Sequence, residues 1–214
     1  AIGICGILLF LEPSWIRPLL ALTVAFWAWA FIELLMYREV SGGFLASFPG
    51  RLLSGVLVLV PTWVAIVALR QQSHGEWLTL FLFLLIWGAD TGAYFAGHRF
   101  GRHKLAPTVS PGKTWEGVAG GLLLVLVLAL ATALYAPWTE REVAIWLGAS
   151  LLTASVSVLG DLFESRIKRV AGVKDSGQLI PGHGGVLDRI DAMTAGAPLF
   201  VLIWLLWRQP AGGF

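Results

Sequence analysis

Apolar residues fall along this chain in long unbroken runs separated by short polar stretches, not in the alternating pattern of half-buried strands. A helix needs about 20 predominantly apolar residues to cross a bilayer core. By that measure complete spans are expected at 18–37, 52–69, 77–97, 118–138, 143–160 and 192–207. The run at 1–11 is too short and stops at Glu12-Pro13, so it reads as the tail of a further, partial span. Pro61 lies inside the second span, where it can kink the helix, as membrane helices tolerate. Two stretches stand out as polar: a basic loop at 98–117, HRFGRHKLAPTVSPGKTWEG, and a charged segment at 161–191. The pattern predicts an all-α polytopic membrane protein, about six complete transmembrane helices plus the partial N-terminal one. The whole of 1–214 is expected to form a single membrane domain; because it opens inside an apolar run, N-terminal spans are expected to be missing from it.

Composition agrees with this reading. The chain is 57% hydrophobic and 13% charged, with eleven tryptophans, against about a quarter charged in ordinary soluble domains. Its mean hydropathy is +0.78. The single cysteine, Cys5, cannot form an internal disulfide and reads as a packing residue. Net charge is only +2; its placement says more. With six spans, the first, third and fifth connections share one side, and they hold eleven of the 15 Lys and Arg residues. The positive-inside rule then turns both polar stretches toward the cytoplasm, the side where nucleotides are found. A multi-pass protein of the inner (plasma) membrane is expected, and no nucleic-acid partner.

So much charge held between two spans suggests chemistry or transport. The segment 161–191 contains Asp161, Asp175, Asp188, Asp191, Glu164, His183 and five Lys or Arg residues. Carboxylates suit Mg²⁺, and Lys and Arg suit phosphate. If the fifth helix continues past its apolar run, Asp161, Ser165 and Lys168 share one face, with Glu164 close by. Asp188 and Asp191 open the sixth helix. Capping explains one acid there better than two. A third carboxylate from Asp161 would complete an oxygen-rich site. No Cys/His set has zinc spacing. The turn Pro181-Gly182-His183-Gly184-Gly185 can bring backbone N–H groups close to an anion, although a bare tight turn has the same composition. Ser110-Pro111-Gly112-Lys113-Thr114 looks like a P-loop but lacks its first glycine, since position 107 is proline, and a membrane helix precedes it where a strand is required. Lys113 can still bind phosphate as a point charge, with Arg99, Arg102 and Lys104 nearby. Asp90 and Glu33 lie within spans. Asp90 stands about two turns from the basic loop, where it can join the site; Glu33 can either join it or simply sit near an interface.

Taken together, Ser165, Lys168-Arg169, Lys174-Asp175, Ile180-Pro181, His183-Gly184-Gly185, Asp188-Arg189 and Asp191 fill every fixed position of a signature. The chain thereby resembles the phosphatidate cytidylyltransferases, or CDP-diacylglycerol synthases. The stretch WGADTGAYFAGHRFGRHKLAPTVSPGKTWEG is similar to the bacterial members. The resemblance covers roughly 52–207 and is weaker before it. It implies an Mg²⁺-dependent membrane enzyme, all-helical and homodimeric, that transfers CMP from CTP to phosphatidate and releases pyrophosphate. It implies Asp161 and Asp188 as metal carboxylates for one or two cations, with Asp191 beside them. Lys168 would be a catalytic cation next to the metal or on a phosphate. Lys104, Ser110, Lys113, Ser165, Arg169, Lys174, Asp175, His183 and Arg189 are the expected substrate-binding residues. Another CTP-using membrane enzyme, such as a CDP-archaeol synthase or a CTP-dependent polyprenol kinase, shares much of this chemistry. An ion-coupled transporter built on Asp90 and Glu33 is the alternative from another class. Against it, most charge lies in loops and at helix ends, and no inverted repeat is visible.

Overall fold

A computed structural model describes residues 13–36, 44–173, 176–177 and 185–208. Among these described residues, six helices are long and apolar enough to cross a membrane. They are α1 (Pro13–Met36), α2 (Phe48–Arg70), α3 (Gly75–Phe100), α4 (Trp115–Ala133), α5 (Glu140–Val170) and α6 (Leu187–Trp207), with a short 3₁₀ turn at Phe44–Ala46. The expected all-α polytopic architecture is therefore the observed one. The partial span expected at 1–11 lies outside the described residues.

The largest departure is in the basic loop. Lys104–Ala106 (β1) and Ser110–Thr114 (β2) pair antiparallel, with Lys104 opposite Thr114 and Ala106 opposite Ser110. The would-be P-loop is thus itself a strand, not a phosphate-cradling turn. Pro111 and Gly112 remove any alternation that would have announced a strand. Thr114 then caps α4, its hydroxyl accepting from the Gly117 N–H at 3.1 Å.

Helix ends moved for local reasons. α5 starts on a capping box between Thr139 and Glu142. It runs ten residues beyond the apolar stretch because its charged end makes helix-spaced contacts, Ser165 to Asp161 and Lys168 to Glu164. Asp161 consequently sits inside a helix and not at its end.

The bundle is centred on α6. Residues 192–201, Ala-Met-Thr-Ala-Gly-Ala-Pro-Leu-Phe-Val, are all buried, and the small side chains let neighbouring helices approach closely. Thr62 of α2 donates to the Thr194 carbonyl at 3.1 Å. One end of the bundle gathers Glu33, Lys113, Asp161, Lys168 and Asp188. The other carries Glu142, Arg208 and a tryptophan cluster of Trp138, Trp146, Trp204 and Trp207.

Gly160 sets how tightly α5 and α6 cross next to Asp161. A Cβ there would stand 2.5 Å from the Asp191 carbonyl oxygen and 3.2 Å from Ala195 Cβ. Gly160→Val should destabilise the bundle by about 1–3 kcal/mol and reduce activity with it. Thermal unfolding in detergent measures the first effect, and an unchanged melting curve would contradict the close approach.

Candidate active site

Three elements build the site: the β1–β2 hairpin, the charged end of α5 and the first turn of α6. Lys113 projects from β2, and its Nζ lies 2.6 Å from Asp161 Oδ2 and 3.4 Å from the Val158 carbonyl. The Ser165 hydroxyl donates to the other Asp161 oxygen at 3.3 Å. Asp191, on α6, faces both Asp161 and Glu164. Lys168 Nζ reaches Glu164 Oε2 at 3.3 Å and Asp188 Oδ1 at 2.7 Å. The result is a continuous run of ionisable contacts from Lys113 through Asp161, Asp191, Glu164 and Lys168 to Asp188. All of these groups are partly shielded from water, so their electrostatic interactions are stronger than at an open surface.

Asp188 is the most heavily engaged. Beyond Lys168, it accepts from the Ser176 N–H at 2.9 Å, the Ser176 hydroxyl at 2.8 Å and the Gly185 N–H at 2.7 Å. It therefore ties the segment before α6 to α5 as well as carrying charge. Gly185 packs against Ser176, with no room there for a Cβ.

A cavity of about 300 Å³ opens beside Lys113. Its walls are small and apolar residues of α3, α4 and α5, among them Ala89, Ala93, Gly117, Gly121 and Ala154. Its charged lining is Asp90, Lys113 and Asp161, with Tyr94 and Thr114 adding hydroxyls. The cavity exists because glycines bring α3 and α4 together. A Cβ on Gly121 would lie 2.5 Å from the Ala89 carbonyl, and one on Gly92 would lie 2.6 Å from that of Gly120. An apolar chamber ending in charged groups suits a ligand with an apolar body and an ionised end.

Of the expected site residues, the structure brings together Lys113, Asp161, Ser165, Lys168, Asp188 and Asp191. Lys104 lies exposed on β1, and Ser110 pairs with Ala106 outside the cavity lining. Arg169 and Arg189 are exposed. Lys174, Asp175 and His183 fall outside the described residues. Asp90 joins the cavity, but Glu33 does not. Glu33 accepts from Arg166 Nη2 at 3.2 Å, and both side chains are at most 5% exposed. In the sequence Arg166 is simply one of the five Lys and Arg residues of 161–191. Its position five residues after Asp161, turned away from the Asp161–Ser165–Lys168 face, was the signal that it serves another interface.

The site offers carboxylate oxygens of the kind Mg²⁺ takes as ligands. Glu164 Oε1 is buried with no hydrogen-bond partner, and Asp191 faces two further carboxyls, so a hard cation would relieve an acid-rich region. Among the described residues no three acidic or histidine side chains converge as a complete ligand cage. Mg²⁺ ordinarily takes one or two carboxylates and completes its shell with water and substrate phosphates.

The sequence model of the cytidylyltransferase family matches residues 1–207. Among curated proteins, the phosphatidate cytidylyltransferase of Haemophilus influenzae is 46% identical over 195 residues, 86% of this chain and 67% of that protein. The phosphatidate cytidylyltransferase of Pseudomonas aeruginosa is 43% identical over 211 residues, 98% of this chain and 78% of its own length. One from Staphylococcus aureus is 45% identical over 134 residues, 63% of this chain and 51% of that protein.

Proposed function

From the premise that the chain belongs to the cytidylyltransferase family, we propose how its own residues transfer CMP from CTP to phosphatidate, giving CDP-diacylglycerol and pyrophosphate. The observation that carries this reading is the Lys113–Asp161 contact at the polar lining of an apolar cavity, linked through carboxyls to Lys168 and Asp188. A membrane-resident lipid phosphate and a water-soluble triphosphate can meet there.

A phosphatidate oxygen attacks the α-phosphorus of CTP. The bond from that phosphorus to the oxygen bridging the β-phosphate breaks, and its electron pair leaves with pyrophosphate. The attacking phosphate monoester is already anionic, so no strong general base is required. The chain's task is positioning and charge neutralisation. Lys113 stands at the cavity, where it neutralises phosphate charge on the lipid or the nucleotide. Lys168, held by Glu164 and Asp188, presents a second cation from the α5 side. Ser165 orients Asp161. Asp161 and Asp188 would hold Mg²⁺, with Asp191 and Glu164 adjacent. Bound there, the ion would neutralise phosphate oxygens and help orient them. Arg169, Lys174, Asp175, His183, Arg189, Lys104 and Ser110 remain candidates for contacts with the nucleotide or head group.

We place the protein in the inner membrane with this end toward the cytoplasm. The Lys and Arg asymmetry and the cytoplasmic supply of CTP support that orientation. A homodimer rests on the family resemblance.

The test is pyrophosphate release by the purified protein in detergent, with phosphatidate, CTP and Mg²⁺, each omitted in turn, and with ATP or other lipid phosphates substituted. Release should need all three components and give lipid-linked CMP. Asp161→Asn and Asp188→Asn should each raise the Mg²⁺ needed for half-maximal rate by more than the roughly ten-fold typical of losing an outer partner. Near-normal turnover with an unchanged Mg²⁺ requirement would sink the metal assignment.

A further inference from the structure

The basic cluster around the hairpin lies outside the run of charges just described. Arg99, Arg102 and Lys104 are exposed, and none forms an ion pair with a described residue. Their backbone is nonetheless held. The Gly101 N–H donates to the Gly97 carbonyl at 3.0 Å, ending α3. The Glu116 carboxylate, on the first turn of α4, accepts from the Arg102 and His103 N–H groups at 3.2 Å, and His103 Nδ1 lies 2.6 Å from it. The Trp115 N–H donates to the His103 carbonyl at 3.0 Å. A loop whose only role was to set orientation would not need this anchoring. Here the cations are mounted at a defined place between two membrane helices.

Tyr94, Phe95, Phe100 and Trp115, which flank and interleave the cluster in sequence, are all exposed. Aromatic residues at the ends of spans mark the headgroup level. Cations at that level attract anionic lipids. The cluster is also continuous with the cavity. Tyr94 lines the cavity together with Lys113, and its ring stacks on that of His98, centroids 6.1 Å apart and planes 6° off parallel. His98 immediately precedes Arg99.

We propose that the Arg99–Arg102 patch is an anionic-lipid capture surface that concentrates membrane phospholipids bearing negative headgroups at the mouth of the cavity. The proposal rests on the lipid-phosphate reading above in so far as the captured lipids include the substrate. The patch recognises headgroup charge and not the acyl chains. It acts on the lipid substrate and not on CTP.

The experiment uses the full chain in nanodiscs, where both faces are accessible and insertion orientation does not matter. Binding is read by electron spin resonance, comparing spin-labelled phosphatidylglycerol with spin-labelled phosphatidylcholine at the protein boundary. Each cation near a membrane surface contributes about five-fold to the association of anionic lipid. Arg99→Gln/Arg102→Gln should therefore reduce the preference for phosphatidylglycerol by roughly five- to thirty-fold. Arg99→Lys/Arg102→Lys should retain most of it. In turnover assays the Gln variant should raise KM for phosphatidate, measured as mole fraction in phosphatidylcholine discs, while kcat and KM for CTP stay near those of the parent. Unchanged lipid preference in the Gln variant, or a rise in KM for CTP in place of phosphatidate, would overturn the proposal. Lost preference with no CMP transfer by either protein would strike the activity and leave the capture patch supported.

Discussion

Lys113→Met is expected to lower kcat/KM by roughly 10²–10³-fold, the usual cost of removing one preorganised electrostatic contact from a phosphate-transfer or acyl-transfer site. Lys113 is only about a quarter exposed, its Nζ is 2.6 Å from Asp161, and it lines the cavity. Negative charge shifts toward the departing pyrophosphate as the reaction proceeds. A cation already fixed in a partly dry site stabilises that shift without reorganising. Lys113→Arg should recover only part of the loss, because a planar guanidinium cannot replace a compact ammonium at the same point. The fold should survive, since β2 keeps its pairing with β1 and Thr114 keeps its cap on α4. Initial rates with varied CTP and phosphatidate, together with thermal unfolding of the same samples, test this. Full turnover by Lys113→Met would remove Lys113 from the site.

Arg166→Met is expected to be the most destabilising single change, costing about 3–5 kcal/mol, because it leaves a buried charge without its partner. Arg166 donates to the Glu33 main-chain oxygen at 3.1 Å and to its Oε1 at 3.2 Å. Glu33 Oε2 already lacks a hydrogen bond. The pair joins α1 to the catalytic helix in an aromatic setting, where Phe163 meets Phe26 and Trp27 edge-on. Two buried ions cost desolvation that their attraction only partly offsets, so apolar residues of similar size can replace both with little loss. Glu33→Met/Arg166→Met should therefore recover most of the stability lost in the single variant. Denaturant titration of the reconstituted proteins gives the comparison. A double variant as unstable as Arg166→Met alone would show that the loss comes from packing and not from the stranded carboxylate.

That pair also marks a limit of reading the chain in one dimension. Glu33 and Arg166 are 133 positions apart. Nothing in either local pattern separates a span carboxylate used for transport from one neutralised by a distant arginine. Asp90 raises the same question and ends elsewhere, lining the cavity together with Lys113 and Asp161. Asp188 shows a subtler case. Its place in the signature marks it as chemically important, but only the fold reveals that its oxygens also hold Ser176 and Gly185. The hairpin was illegible because five residues containing Pro111 and Gly112 carry no alternation. What makes them a strand is pairing with Lys104–Ala106 between two closely packed helices.

The class of protein, the complete spans among the described residues and the chemical character of the site were all legible in the order of residues. Those properties follow from apolar run length, which the thickness of a bilayer constrains, and from residue types that only ion or phosphate chemistry explains. The sequence also carried the signature that names the family. Which charges meet emerges only once the helices pack. That packing set Lys113 of the hairpin against Asp161, sent Arg166 to Glu33 on the far face of the same helix, and left Arg99 and Arg102 at the rim. The reason is geometric. A helix distributes neighbouring residues over all its faces, so the role of each charge depends on which helix packs against that face.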